Sequence, residues 1–296
     1  MNNYLEISLE YSLQKLLNNP SGILLLQKLN ENKIRKLTEF IVNNNIFNDN
    51  KLLNTAIENI WPKGSVKQFV SHIIWCAHRD ACYVKPFVQE DFEMTLNVKG
   101  TEHLTSIKDK PVIVICPMTM PTGDALKFVT KLSQKYLNDK EVVVYGENMS
   151  PYLKRNPHLK SYFAEENLSG IKKIKRVLKN NGCFFTYADF VYDSHAAMTG
   201  TIFGIKRPFS QGLISIALSS KSILMPMLFL RKGKQIDLSV HQPVMQNTFE
   251  RDAALPHKIK EQILCVVIAK ILEGLIVKAT NQWRLLPTLT HEVVYN

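Results

Sequence analysis

Pro111-Val112-Ile113-Val114-Ile115-Cys116 is an uncharged run of six residues that passes straight into Pro117-Met118-Thr119-Met120-Pro121-Thr122-Gly123-Asp124. A short, wholly apolar run with a polar turn behind it reads as a strand buried on both faces, as in the middle of a parallel sheet. The same texture recurs at 141–145, 183–188 and 222–230, while 92–98 alternates in the manner of a half-buried strand and stops at Gly100. Helical patterns lie between these runs. One extends from 125 to about 136, and another is marked by Ile171, Ile174 and Leu178 at helical spacing. A last helix spans about 256 to 278, with Pro256 in its first turn, and is expected to close one face of the sheet. Alternation of strand and helix predicts an α/β fold: a mostly parallel central sheet flanked by helices.

Residues 4 to about 90 have a different texture and read as a string of helices. Leu5, Leu9, Leu13, Leu16 and Leu17 form one apolar stripe, and Ile23-Leu24-Leu25-Leu26 follows the break at Pro20-Ser21-Gly22. Further helices are expected at 34–42, 51–60 and 66–83, with Pro62 and Gly64 separating the last two and Ser65 as N-cap. The expected division is a helical region at 1–91 and an α/β domain at 92–296. No flexible linker separates them, so the first is expected to pack on the second.

Twelve glycines and 13 prolines in 296 residues argue for a globular chain, and no internal repeat is visible. The N-terminus lacks a basic segment followed by an apolar one. The longest apolar candidate, 263–277, is broken by Lys270 and Glu273, short of the ~18 residues a spanning helix needs. Five scattered cysteines without a Cys-x-x-Cys pair suggest reduced thiols, a cytoplasmic location and no metal site. The formal charge of +11 suits nucleic acid, anionic lipid or an acidic protein. Lys172, Lys173, Lys175, Arg176 and Lys179 cluster on one amphipathic helix in a stretch with no acid, although a solvated face explains them equally well. No nucleic-acid module accompanies them, and nucleic acid is not expected as a partner.

Four segments, in order, carry a resemblance. They are Val98-Lys99-Gly100-Thr101-Glu102-His103-Leu104; the strand at 111–116 with 117–124; Leu178-Lys179-Asn180-Asn181-Gly182 leading to Tyr187-Ala188-Asp189, Phe203-Gly204 and Phe209-Ser210-Gln211-Gly212; and Ile223-Leu224-Met225-Pro226 through Arg231. Together, over about 95–245, they resemble the lipid A biosynthesis (lauroyl/myristoyl) acyltransferase branch of the lysophospholipid acyltransferase superfamily. The resemblance implies the glycerol-3-phosphate/lysophospholipid acyltransferase-like fold, with no bound cofactor. It also implies an acyl thioester co-substrate, carried on the phosphopantetheine of an acidic acyl carrier protein or on CoA, with peripheral contact at the inner membrane face left open. A His-x4-Asp/Glu pair is further implied after the buried strand, the histidine taking the acceptor's proton and the carboxylate orienting it.

The carboxylate is present as Asp124, but the histidine position holds Thr119, whose hydroxyl is far too weak a base. His195 is one replacement, unless it is simply a surface residue. Cys116 is another, as an acylated nucleophile, unless it is core. A third option is an acceptor amine that arrives unprotonated, positioned by Thr119 and Asp124. Asp124 also reads as an N-cap of the following helix. By the same resemblance Asp189, Gly204, Lys206, Arg207 and Gly212 are candidates for binding substrate. Lys206 and Arg207 would meet a donor phosphate, or else form an exposed turn, with Gly204 and Gly212 as turn residues. The expected function is acyl transfer to an amine or hydroxyl acceptor, with a soluble acceptor of specialised natural product metabolism as one option. A catalytically silent acyl- or carrier-binding protein is the alternative.

Overall fold

A computed structural model of the chain describes residues 9–17, 19–44, 66–84, 95–145, 162–164, 167–189, 197–244 and 255–285. The uncharged runs form the sheet interior. β1 spans Thr95–Lys99, β2 Val112–Cys116, β3 Val142–Tyr145, β4 Phe163–Ala164, β5 Cys183–Tyr187, β8 Ile223–Lys232 and β9 Gln235–Val240. They make one seven-stranded sheet in the order β1-β9-β8-β2-β5-β3-β4. Every neighbouring pair is parallel except β8 and β9, which are antiparallel. β2 lies between β5 and β8, with Val112 in register with Cys183 and Ile223, and each of its five residues is buried. A strand covered on both faces has no use for alternation, and this explains its unbroken apolar sequence.

Helices flank this sheet in the chain order α5 (Glu102–Thr105), α6 (Thr122–Tyr136), α7 (Leu168–Lys179), α8 (Gln211–Ser220) and α9 (His257–Ala279). The expected mostly parallel α/β architecture is therefore what the chain adopts. Gly100, which ends β1, has φ +78°, and a Cβ there would lie 2.0 Å from the Val240 carbonyl oxygen, so only glycine fits.

Between β5 and β8 the chain makes a feature the sequence does not announce. β6 (Ala197–Ile202) and β7 (Ile205–Ser210) form a two-stranded antiparallel hairpin. Its two-residue turn, Phe203-Gly204, has positive φ at both positions, the twist that suits a tight hairpin. Lys206 and Arg207 are consequently strand residues opposite Thr201 and Gly200, not members of a turn. Gly212 is also displaced from its expected role. It is the second residue of α8, whose N-cap Ser210 accepts a hydrogen bond from Leu213 N at 3.2 Å.

The N-terminal region is helical where described: α1 (Leu9–Leu17), α2 (Pro20–Gln27), α3 (Glu31–Asn43) and α4 (Val66–Val84). Asn19 caps α2 and Asn30 caps α3, each side chain accepting a backbone N–H at 2.9 Å. Leu13, Ile23, Leu26, Ile34, Ile41, Phe69, Val70, Ile73 and Ile74 are buried here. The helix expected at 51–60 and the cap at Ser65 fall outside the described residues.

The chain divides into two compact units. One is Met94–Met118 with Ala125–Ile276, and the other is Met1–Glu93 with Thr119–Asp124 and Val277–Asn296. The polar stretch after β2 thus leaves the first unit at Met118 and returns to it at Ala125.

Candidate functional site

From β2 the chain runs towards β3, and from the adjacent β8 it runs the opposite way, to β9. Open α/β sheets place ligands at such a divergence, outside the carboxyl ends of the strands. Cys116 is the last residue of β2, so this point coincides with the stretch singled out in the sequence.

Asp189, two residues beyond the end of β5, braces the turn on the sheet side. Its carboxylate accepts from Met118 N at 2.9 and 3.2 Å, and Ala188 N donates to the Cys116 carbonyl at 3.2 Å. Cys116 itself is buried. Burial first, and the Asp189 charge second, push its thiol well above the ordinary range. A thiol kept protonated is a poor nucleophile, and this environment works against Cys116 as an acyl carrier.

The other half of the stretch, Thr119–Asp124, belongs to the helical unit, where α4 meets it with one face. His72, Cys76 and Arg79 stand at positions i, i+4 and i+7 of that helix, so they share a side. His72 Nε2 lies 2.8 Å from the Thr119 carbonyl oxygen. A carbonyl only accepts, so Nε2 carries the proton and Nδ1 is the basic nitrogen of the neutral ring. Cys76 Sγ is 3.5 Å from the same Nε2, and the ring stacks against Trp75 with centroids 5.7 Å apart.

Arg79 grips Asp124 as a fork, with Nε to Oδ2 at 2.8 Å and Nη2 to Oδ1 at 2.5 Å. Thr119 is 0% and Asp124 1% exposed, and His72 and Arg79 are buried with them. A carboxylate so enclosed stays charged only against a positive, hydrogen-bonding partner, and a planar guanidinium meets both oxygens at once. Asp124 lies inside the first turn of α6, not at its cap, where a negative charge still favours the helix N-terminus.

The remaining candidates divide. Lys206 is exposed and Arg207 buried on β7, and Gly204 is in the hairpin turn, all in the unit that holds Cys116 and Asp189. His195 lies outside the described residues. Among the described residues no group of three or more His, Cys, Asp or Glu side chains is placed to hold a metal ion, and no helix is long and apolar enough to cross a membrane.

Sequence reasoning missed His72 and Arg79. The available signal was their position: two polar residues inside the run Val70 to Ala81, where helical periodicity assigns them to a face otherwise destined for the core.

No protein-family model matches the chain, and no curated protein matches it. Among solved structures it is similar to the 1-acyl-sn-glycerophosphate (LPA) acyltransferase PlsC from Thermotoga maritima. The identity is 13% and the TM-score 0.38, over 86% of this chain and 97% of that one.

Proposed function

We propose that this chain acts on acyl thioesters, moving the acyl chain to an amine or hydroxyl acceptor, with His72 in place of the missing motif histidine. The observation that supports this is the 2.8 Å bond from His72 Nε2 to the Thr119 carbonyl, which brings an imidazole to the residue where the resemblance requires one. The His72 imidazole takes the acceptor's proton as the acceptor oxygen or nitrogen attacks the thioester carbonyl. The new C–O or C–N bond forms, the C–S bond breaks, and the proton passes to the departing thiolate. Arg79 and Asp124 hold the Thr119–Asp124 turn against α4 and so fix the imidazole relative to it. The donor is a phosphopantetheine thioester on an acidic acyl carrier protein, or CoA, either of which suits a chain of charge +11.

A second reading has its own support. Asp124 is committed to Arg79 and Thr119 is fully enclosed, an arrangement that also suits a protein that binds acyl groups without transferring them. Intact-mass spectrometry separates the two. The full chain is incubated with acyl-CoA or acyl-carrier-protein thioesters and a panel of amines and alcohols. Acylated acceptor, formed catalytically, supports transfer. Thioester binding without any acylated product across the panel supports the silent reading.

A further inference from the structure

Asn181-Gly182 is the one Asn-Gly pair in the chain. Glycine has no side chain to keep its amide nitrogen away from the asparagine side-chain carbonyl. An exposed pair of this kind is therefore where asparagine loses ammonia most readily, and asparagine is among the thermolabile residues.

The fold puts this pair at the C-terminus of α7 and leaves little choice of residue there. Asn180 is the C-cap, and Asn181 follows it in the left-handed region at φ +58°. Asn181 N donates to the Leu178 carbonyl at 3.0 Å and Gly182 N to the Val177 carbonyl at 2.8 Å. These are the two bonds of a Schellman turn, whose left-handed position takes glycine or asparagine. A Cβ at Gly182 would lie 2.7 Å from the Val177 carbonyl oxygen and 2.9 Å from that of Glu141, so the following position admits glycine alone. The labile pair is thus a consequence of how α7 stops.

The peptide group that would react is held at both of its polar ends. Its N–H is the Gly182 donor bound to Val177. Its carbonyl, that of Asn181, accepts from Lys140 Nζ, which also donates to the Lys110 carbonyl at 2.9 Å just before β2. Asn181 itself is exposed, so water reaches its side chain. The electrophile is open to solvent while the nucleophile is clasped inside a turn.

We infer that Asn181 is a deamidation site gated by this clasp, reacting only when the end of α7 opens and frees the Gly182 nitrogen. That nitrogen, after giving its proton to hydroxide, bonds to Asn181 Cγ. The Cγ–Nδ2 bond breaks and ammonia leaves, and water then opens the succinimide to aspartate or isoaspartate. Isoaspartate carries an extra methylene in the main chain, which the Schellman bonds cannot span unchanged, and it adds a negative charge at a helix C-terminus. The inference stands independently of the acyl chemistry, and its test uses no acyl substrate.

The full chain is incubated in warm, mildly alkaline buffer, folded and in urea, and isoaspartate is located by peptide mapping. The unfolded chain is expected to accumulate it first at position 181, and the folded chain on the order of tenfold more slowly or less. Lys140→Met, which releases one end of the clasp, is expected to speed the folded reaction about threefold or more and leave the unfolded rate unchanged. Asn181→Gly keeps a residue suited to the turn, and is expected to hold its melting temperature through an incubation that lowers that of wild type. Three results overturn the inference: a folded chain that deamidates at Asn181 as fast as the unfolded one, an unfolded chain that reacts first at another asparagine, or a folded Lys140→Met protein that reacts at the wild-type rate.

Discussion

Helices α4 and α9 break the same rule in opposite directions. α4 turns His72, His78 and Arg79 into the protein interior, and α9 turns Ile259, Ile263 and Val266 out of it. The inward polar groups have specific partners: the Thr119 carbonyl for His72, the Leu26 carbonyl for His78 Nδ1 at 2.8 Å, and the Asp124 carboxylate for Arg79. A polar group held inside at the cost of desolvation marks a place where geometry has been fixed. An apolar group left outside marks a place where contact is still to be made.

The largest effect is expected where that interior pairing is cut. Arg79→Met leaves the buried Asp124 carboxyl without its guanidinium, and is expected to cost about 3–5 kcal/mol in urea denaturation. Adding Asp124→Leu should restore most of that loss, because the penalty arises from the stranded polar group. An Arg79→Met protein as stable as wild type would remove the α4 half of the comparison.

The α9 half is sharpened by two substitutions on one helix. Ile268→Ala, on the buried side, is expected to cost about 2–4 kcal/mol, while Val266→Glu, on the outer side, should stay within about 0.5 kcal/mol. Equal costs would mean that the outer stripe is packed in the free protein, which its exposure contradicts.

How far these features could be read in the sequence varied with how local their causes are. β2, β5 and β8 were legible because a strand buried on both faces writes itself as an unbroken apolar run, and α7 because Ile174 and Leu178 repeat at the helical period. The β6–β7 hairpin was not. Gly200, Gly204, Lys206, Arg207 and Pro208 interrupt any alternation, and the segment reads as loop. Yet Gly200 is required by packing, since a Cβ there would fall 2.5 Å from the Phe209 ring. Gly212 was expected in a turn, whereas the capping hydroxyl of Ser210, two residues before it, starts α8 there.

For the candidate site, Thr119 and Asp124 were legible through spacing within one short stretch. Their partners lie 47 and 45 residues earlier, on α4, and a pairing made by tertiary packing leaves no mark on local sequence. The apolar character of α9 was visible, but only the fold shows which of its two apolar sides faces outward.

The central claim is that an imidazole supplied by α4 performs the base chemistry that Thr119 cannot. Its most direct test is the turnover of the His72→Gln protein with saturating acyl thioester and an acceptor the wild type uses. Glutamine keeps a donor for the Thr119 carbonyl and removes the basic nitrogen. The account requires a fall in kcat of at least about 100-fold with the fold intact. Unchanged kcat in a folded His72→Gln protein would contradict it and return the catalytic role to a residue elsewhere in the chain.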